Sequence, residues 1–136
     1  MGSLHRTIAL LGFDGDDLDP AEITARLGAA PTVAVSKGGK WLTSATTAEI
    51  ATTGRWRLDA DGNDSINLDG QIIALFATLS GDLAAWRALS ACYNGRVFCG
   101  LFLATGNEGV ILQPSTLLQI GERGLLLDLD IYARDA

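Results

Sequence analysis

Hydrophobic and polar positions change their period several times along the chain, and each change marks an element. Residues 5–13 are rich in β-branched and large apolar side chains and run into Asp14-Gly15-Asp16-Asp17, which reads as a strand ending in a turn. Leu18-Asp19-Pro20-Ala21-Glu22-Ile23 then has the composition of a helix start. Asp19 serves as N-cap, Pro20 takes the first helical position, where its missing N–H costs nothing, and Glu22 closes a capping box. Leu18 and Ile23 make a hydrophobic staple with Leu27 one turn on, and Gly28 and Pro31 end the helix after about two turns.

Residues 32–36 alternate Val33 and Val35 with smaller side chains and give a second strand, closed by Lys37-Gly38-Gly39-Lys40. Residues 43–53 are rich in Thr, Ala and Ser without a period and read as a long loop. In Arg55-Trp56-Arg57-Leu58 the alternation is sharp, with Trp56 and Leu58 on one side and the arginines on the other, as in a half-buried strand. From Asp69 the period becomes helical and puts Leu68, Ile72, Leu75, Phe76 and Leu79 on one face. Ser80-Gly81-Asp82 interrupts it, and a second helical piece carries Leu83, Trp86 and Leu89 as far as Asn94-Gly95. Residues 96–105 are apolar on both alternating faces, the pattern of a strand inside a sheet. Pro114 opens a short helix that places Leu117, Leu118 and Ile120 near the core and stops by Gly124. Residues 125–132 alternate Leu127, Leu129 and Ile131 with Asp128, Asp130 and Tyr132, one oily face against one polar face.

The predicted order is β-α-β-β-α-β-α-β. It predicts an α+β domain whose first six elements follow the ferredoxin-like split βαβ: an antiparallel sheet with helices on one face, plus an appended α-β element. Residues 1–136 read as a single domain without repeats, long enough to bury a sizeable core.

Composition narrows the functional classes. Ten Lys+Arg against sixteen Asp+Glu give a formal net charge of −6, which argues against a nucleic-acid partner, since phosphate binding draws on a surplus of cations. The apolar patch near the N-terminus is too short for a secretory leader, and no run approaches the roughly 18 apolar residues of a membrane span. The expected location is therefore cytoplasmic, without membrane association, with Cys92 and Cys99 as buried reduced thiols.

Few arrangements carry chemistry. The stretch from Asp59 to Gly70 imitates a calcium loop, but Asp64 stands where a glycine is needed and Gly70 where a bidentate Glu belongs, so it reads as a polar turn. Asp14, Asp16, Asp17 and Asp19 form an acidic cluster explained by capping and turn preference. Lys37-Gly38-Gly39-Lys40 lacks the remaining parts of a phosphate loop, because Trp41 follows the second lysine. Asp128, Asp130 and Tyr132 share one face of the last strand, either as an acid/base set or as charge pairs across the sheet with Arg55 and Arg57, each worth about 1 kcal/mol or less when exposed. His5, the sole histidine, has no nucleophile to activate. No catalytic residues, metal or cofactor are expected, and the candidate binding residues are Lys37, Trp56, Arg57, Asp128, Asp130 and Tyr132.

With these residues in place, the chain resembles the bacterial domain-of-unknown-function family 4279. The resemblance rests on Leu18-Asp19-Pro20 with Glu22-Ile23, Leu27-Gly28, Pro31-Thr32, Lys37-Gly38, Gly54-Arg55-Trp56, the Leu68 helix and the terminal Leu129-Asp130-Ile131-Tyr132. It implies a small bacterial domain and adds no activity; the broken, alanine-rich Leu83 to Cys92 piece departs from the family's longer, charged helix. The favoured expectation is a non-catalytic protein-interaction module of immunity type, whose acidic surface plugs a basic site on a protein partner, with its oligomeric state open. The alternative is a small-ligand-binding protein or enzyme that uses the sheet face around Trp56, Arg57, Asp130 and Tyr132.

Overall fold

A computed structural model describes residues 6–61 and 66–133. Its central element is β1, Arg6–Gly15, in which burial alternates strictly. Ala9, Leu11 and Phe13 are almost fully buried, while Leu10, Gly12 and Asp14 face the other way. A strand with this period must be covered on one side and free on the other.

The N-terminal helix α1, Pro20–Leu27, starts as its sequence dictates. Asp19 accepts from the Ala21 amide at 3.1 Å, and Gly28 closes the helix in the left-handed conformation at φ 78°, donating to the Thr24 carbonyl. Leu18, Ile23 and Leu27 are all buried, as a staple requires. The capping box forms only by half, because the Glu22 carboxylate turns along the helix to Arg26, 3.8 Å away.

Beyond α1 come β2 (Val33–Val35), the hairpin β3 (Lys40–Leu42) with β4 (Ala48–Ile50), and β5 (Gly54–Asp59). The hairpin replaces the loop expected over residues 43–53. Every residue of β4 is exposed, so no alternation marks it in the sequence, and backbone pairing alone makes it a strand. Helices α2 (Leu68–Ala77) and α3 (Leu83–Cys92) follow, separated at Ser80-Gly81-Asp82, then β6 (Asn94–Phe102), α4 (Pro114–Glu122) and β7 (Leu126–Tyr132).

Five strands form one sheet in the order β2-β5-β1-β6-β7, with β3 and β4 apart from it. The first three pairings are antiparallel, but β6 and β7 run parallel, joined through α4. The sheet is therefore mixed and not the antiparallel sheet expected, because a strand that returns through a crossover helix comes back in the same sense.

The core lies between this sheet and the helices. Leu68, Ile72, Leu75, Phe76 and Leu79 of the α2 segment are buried, as are Trp86 and Leu89 of α3. Phe13, Trp56, Trp86 and Phe76 form a chain of ring contacts with centroids 5.7 to 6.4 Å apart. Arg123, only 7% exposed, lays its guanidinium over Phe76 and Trp86 at 4.6 and 5.2 Å, and burial lowers its pKa. In α4 the expectation fails in part. Ile120 and Thr116 are buried, whereas Leu117 and Leu118 point outward at 47% and 63% exposure.

One buried polar link replaces missing strand pairing. β5 has ended where β1 begins, so the Thr7 carbonyl, which points to the β5 side like that of Ala9, meets no strand there. The Gln71 side chain of α2 donates to it at 2.8 Å and accepts from the Thr7 hydroxyl at 2.7 Å.

The thiols differ from each other: Cys99 is buried, but Cys92 is exposed, not buried as expected, and both are free. Burial, reinforced by the Asp128 charge, pushes Cys99 up to about 12. His5 and residues 62–65 of the calcium-like loop lie outside the described residues. Among the described residues no helix is long and apolar enough to cross a membrane, and no group of three His, Cys, Asp or Glu is placed to hold a metal.

Two outcomes follow from the core. Gln71→Leu removes both side-chain bonds to Thr7 and lowers stability by about 1–3 kcal/mol in urea denaturation, whereas Thr7→Val with Gln71→Leu costs less than the two single changes added. Cys99 stays a neutral thiol in the folded chain while the unfolded chain ionises it from 9.0, so stability falls between that pH and about 12. Cys99→Ala removes that part of the alkaline loss, and native protein exposes one thiol to Ellman's reagent against two when unfolded.

Candidate functional site

The helices cover one face of the sheet, and the other face is built from the alternate residues of each strand. The register brings Arg57 of β5 and Arg96 of β6 to either side of Gly12 on β1. One step along β1, Arg55 pairs with Asp14; one step the other way, Phe98 pairs with Leu10. With strands about 4.8 Å apart, the two arginines flanking Gly12 stand roughly 10 Å apart at their backbones, and the residue between them has no side chain of its own.

Trp41 reaches over this row from the hairpin and stacks on the Arg55 guanidinium at 5.1 Å. The hairpin is tied at its base by reciprocal backbone bonds, Gly38 to Ala51 at 2.9 Å and Ala51 to Gly39 at 2.7 Å. Sheet face and hairpin together enclose an open-sided cleft of about 270 Å³. Its walls combine apolar Leu10, Val33 and Phe98 with Arg55, Arg57 and Arg96.

Most of the charge in the cleft is paired. Arg57 makes a two-pronged contact with Asp59 at 2.9 and 3.2 Å. Arg96 bridges Asp14 at 3.0 Å and Asp128 at 3.1 Å, and Asn94 approaches the other Asp14 oxygen at 3.4 Å. Arg55 makes the Trp41 contact and has no carboxylate partner among the described residues.

The six candidate binding residues do not converge. Trp56 is fully buried on the helix side, where its indole N–H donates to the Thr24 hydroxyl at 3.1 Å. Arg57 lies in the cleft. Lys37 stands 3.4 Å from Asp16, whose carboxyl is held below its usual range by the Thr53 hydroxyl and by this lysine. Asp128, Asp130 and Tyr132 do share the open face of β7, but β7 lies three strands from β5, so Asp128 pairs with Arg96 and not with Arg55 or Arg57. Asp130 accepts from the Tyr132 hydroxyl at 2.6 Å, which raises the tyrosine's pKa. The acidic run is likewise dispersed: Asp14 goes to Arg96, Asp16 to Lys37 and Asp19 to the helix cap.

Gly12, Trp41, Arg96 and Phe98 escape the sequence reading. Gly12 and Phe98 follow from the alternation of their strands once the pairing is known. Trp41 follows only from the hairpin, whose exposed second strand carries no signal.

A second surface stands out at the sheet edge. Among the described residues, nine of the thirteen exposed large hydrophobic side chains fall after residue 109. Leu127, Leu129 and Ile131, at 36%, 45% and 58% exposure, are the oily face of β7. They continue the row of Val97, Cys99 and Leu101, which are buried beneath the helices. The helix layer thus stops short of the last strand, and among the described residues β7 has no strand beyond it.

No curated protein and no solved structure matches the chain. A family model, described as a domain of unknown function, matches residues 5–134, nearly the whole length. The chain belongs to the domain-of-unknown-function family DUF4279.

Proposed function

We propose that this is a non-catalytic protein-interaction domain of immunity type, and that it meets its partner along β7. The observation that carries the reading is the uncovered edge: seven residues of strand with a free outer side, flanked by Leu127, Leu129 and Ile131 at half exposure. An exposed apolar edge is ordinarily blunted by charge, proline or a covering element, and otherwise serves as a template for another strand.

Charge favours a basic partner over a second copy. Antiparallel self-pairing centred on Leu129 sets Asp128 against Asp130 twice, and pairing centred on either aspartate sets it against itself. Like charges directly opposite each other destabilise a ladder, whereas Lys or Arg on an added strand complements them. The net charge of −6 acts in the same direction by speeding encounter with a cationic protein.

The order β2-β5-β1-β6, antiparallel throughout, fits the ferredoxin-like split βαβ, with α4 and β7 as the appended pair. Two free thiols fit a reducing, cytoplasmic compartment. The ligand site drawn around Trp56, Arg57, Asp130 and Tyr132 has less support, since Trp56 is buried on the helix side and Arg57 stands three strands from Asp130 and Tyr132 on the open face.

The test is a pull-down from native lysate with the wild-type chain and with Leu129→Asp/Ile131→Asp, followed by mass spectrometry. A basic protein should be retained by the wild type, released as salt rises, and reduced at least about tenfold with the variant. Equal recovery by both chains would count against the edge. Sedimentation of the wild type as a dimer, and of the variant as a monomer, would replace the basic partner with a second copy.

A further inference from the structure

We propose that the cleft on the open sheet face binds a small aryl monocarboxylate, its carboxylate on Arg55 and its ring over the bare floor at Gly12.

The first ground is the glycine itself. Gly12 sits in the interior of a strand, where glycine packs nothing and loses conformational entropy, yet neither its backbone nor its neighbours require it. Its φ is not among the positive ones, and a Cβ there would meet Leu10 Cδ1 at 3.7 Å and Arg96 Cγ at 3.8 Å, ordinary contacts. Other glycines of the sheet differ: a Cβ at Gly95 would come within 2.7 Å of Phe13 and Leu125, and one at Gly100 within 2.8 Å of Ile8. Packing explains those two, whereas Gly12 is left without a local reason, at the one point where the cleft needs an open floor between two arginines. Close approach of a ligand supplies that reason.

Charge selects the ligand's head group. Arg55, Arg57 and Arg96 are matched by Asp14, Asp59 and Asp128, so the empty cleft is close to neutral. A dianionic phosphate would leave an excess of negative charge beside Asp14, while a monoanion adds a single charge. Arg55 is the arginine left to receive it. Its register partner Asp14 is turned toward Arg96 and Asn94, and with Trp41 on its face the guanidinium keeps its N–H edge for a two-pronged carboxylate contact.

Size and surface select the body. About 270 Å³ holds roughly nine waters at about 30 Å³ each, the scale of a one-ring acid, and lies below the roughly 300–1,000 Å³ of sites for larger ligands. Leu10, Val33 and Phe98 give that ring an apolar bed, with the Trp41 indole alongside.

Benzoate is the probe. It is titrated into the full chain, followed by amide NMR shifts and tryptophan fluorescence, to which half-buried Trp41 responds while Trp56 and Trp86 stay sealed. Saturable binding in the millimolar range or tighter is expected, with shifts at Gly12 and Arg55, and inorganic phosphate at least about tenfold weaker. Arg55→Gln, at an exposed position, and Gly12→Leu, which fills the floor, should each weaken benzoate at least about tenfold with the melting temperature of Arg55→Gln unchanged. No saturation by about 20 mM benzoate, phosphate binding as tight as benzoate, or indifference to both substitutions would each overturn the proposal. Leu129→Asp leaves benzoate binding intact, which separates this site from the β7 edge.

Discussion

β1 is hydrogen-bonded on both sides, to β5 and to β6, so its two-residue alternation decides at once what is packed and what stays open. Ala9, Leu11 and Phe13 go under the helices, and their neighbours Leu10, Gly12 and Asp14 become the floor of the cleft. A slip of one residue would bury Asp14 and expose Phe13, which holds the register firmly. Trp56, Val97 and Cys99 on the flanking strands are locked to the same side by the same pairing. Where β5 runs out, Gln71 takes over its hydrogen bonding and ties the helix layer to the strand that organises the sheet.

The helix layer is itself held from below by the ring chain of Phe13, Trp56, Trp86 and Phe76, and from the side by Arg123. Arg123 joins α4 to α2 and α3: its side chain lies on Phe76 and Trp86, and its carbonyl accepts from Ser90 of α3 at 2.8 Å. Anchored at its C-terminal end in this way, α4 buries Ile120 and Thr116 but cannot also roof the far half of β7. The exposed leucines of the edge are thus a consequence of helix placement. Extending the cover would need either a longer α4 or a further element.

What could be read from the sequence was what carries its own local signal. The N-cap, the proline and the terminal glycine of α1 are side-chain and backbone effects within a few residues, and they appear in the structure where expected. The alternation of Arg55, Trp56 and Arg57 correctly separated the two faces of β5, and the interruption at Ser80-Gly81-Asp82 correctly split the long helical stretch. Tertiary choices were hidden. Nothing within residues 125–132 says that β7 pairs with β6 alone, so an apolar face that looks like core stands half exposed, and its acidic face meets Arg96 rather than the arginines of β5. The cleft was hidden for the same reason, since Arg55, Gly12 and Arg96 are separated by many residues and become neighbours only through strand order.

Strand order also reinterprets the net charge. The count of −6 describes the whole surface, but the surface is not uniform. Across the open face the arginines are matched locally by Asp14, Asp59 and Asp128, and Lys37 is matched by Asp16, so these groups contribute little field beyond the Debye length of about 8 Å at physiological salt. The surplus therefore resides on acids without a facing cation, and Asp130 on β7 is one of them, its closest polar contact being a neutral phenol. The apolar edge thus carries unmatched negative charge while the cleft is balanced and presents a single guanidinium edge. The occupants proposed for the two surfaces differ in the same way, a cationic strand at one and a small monoanion at the other. Salt should weaken the first much more than the second, because the cleft's selectivity rests on contact geometry and the edge's on long-range field.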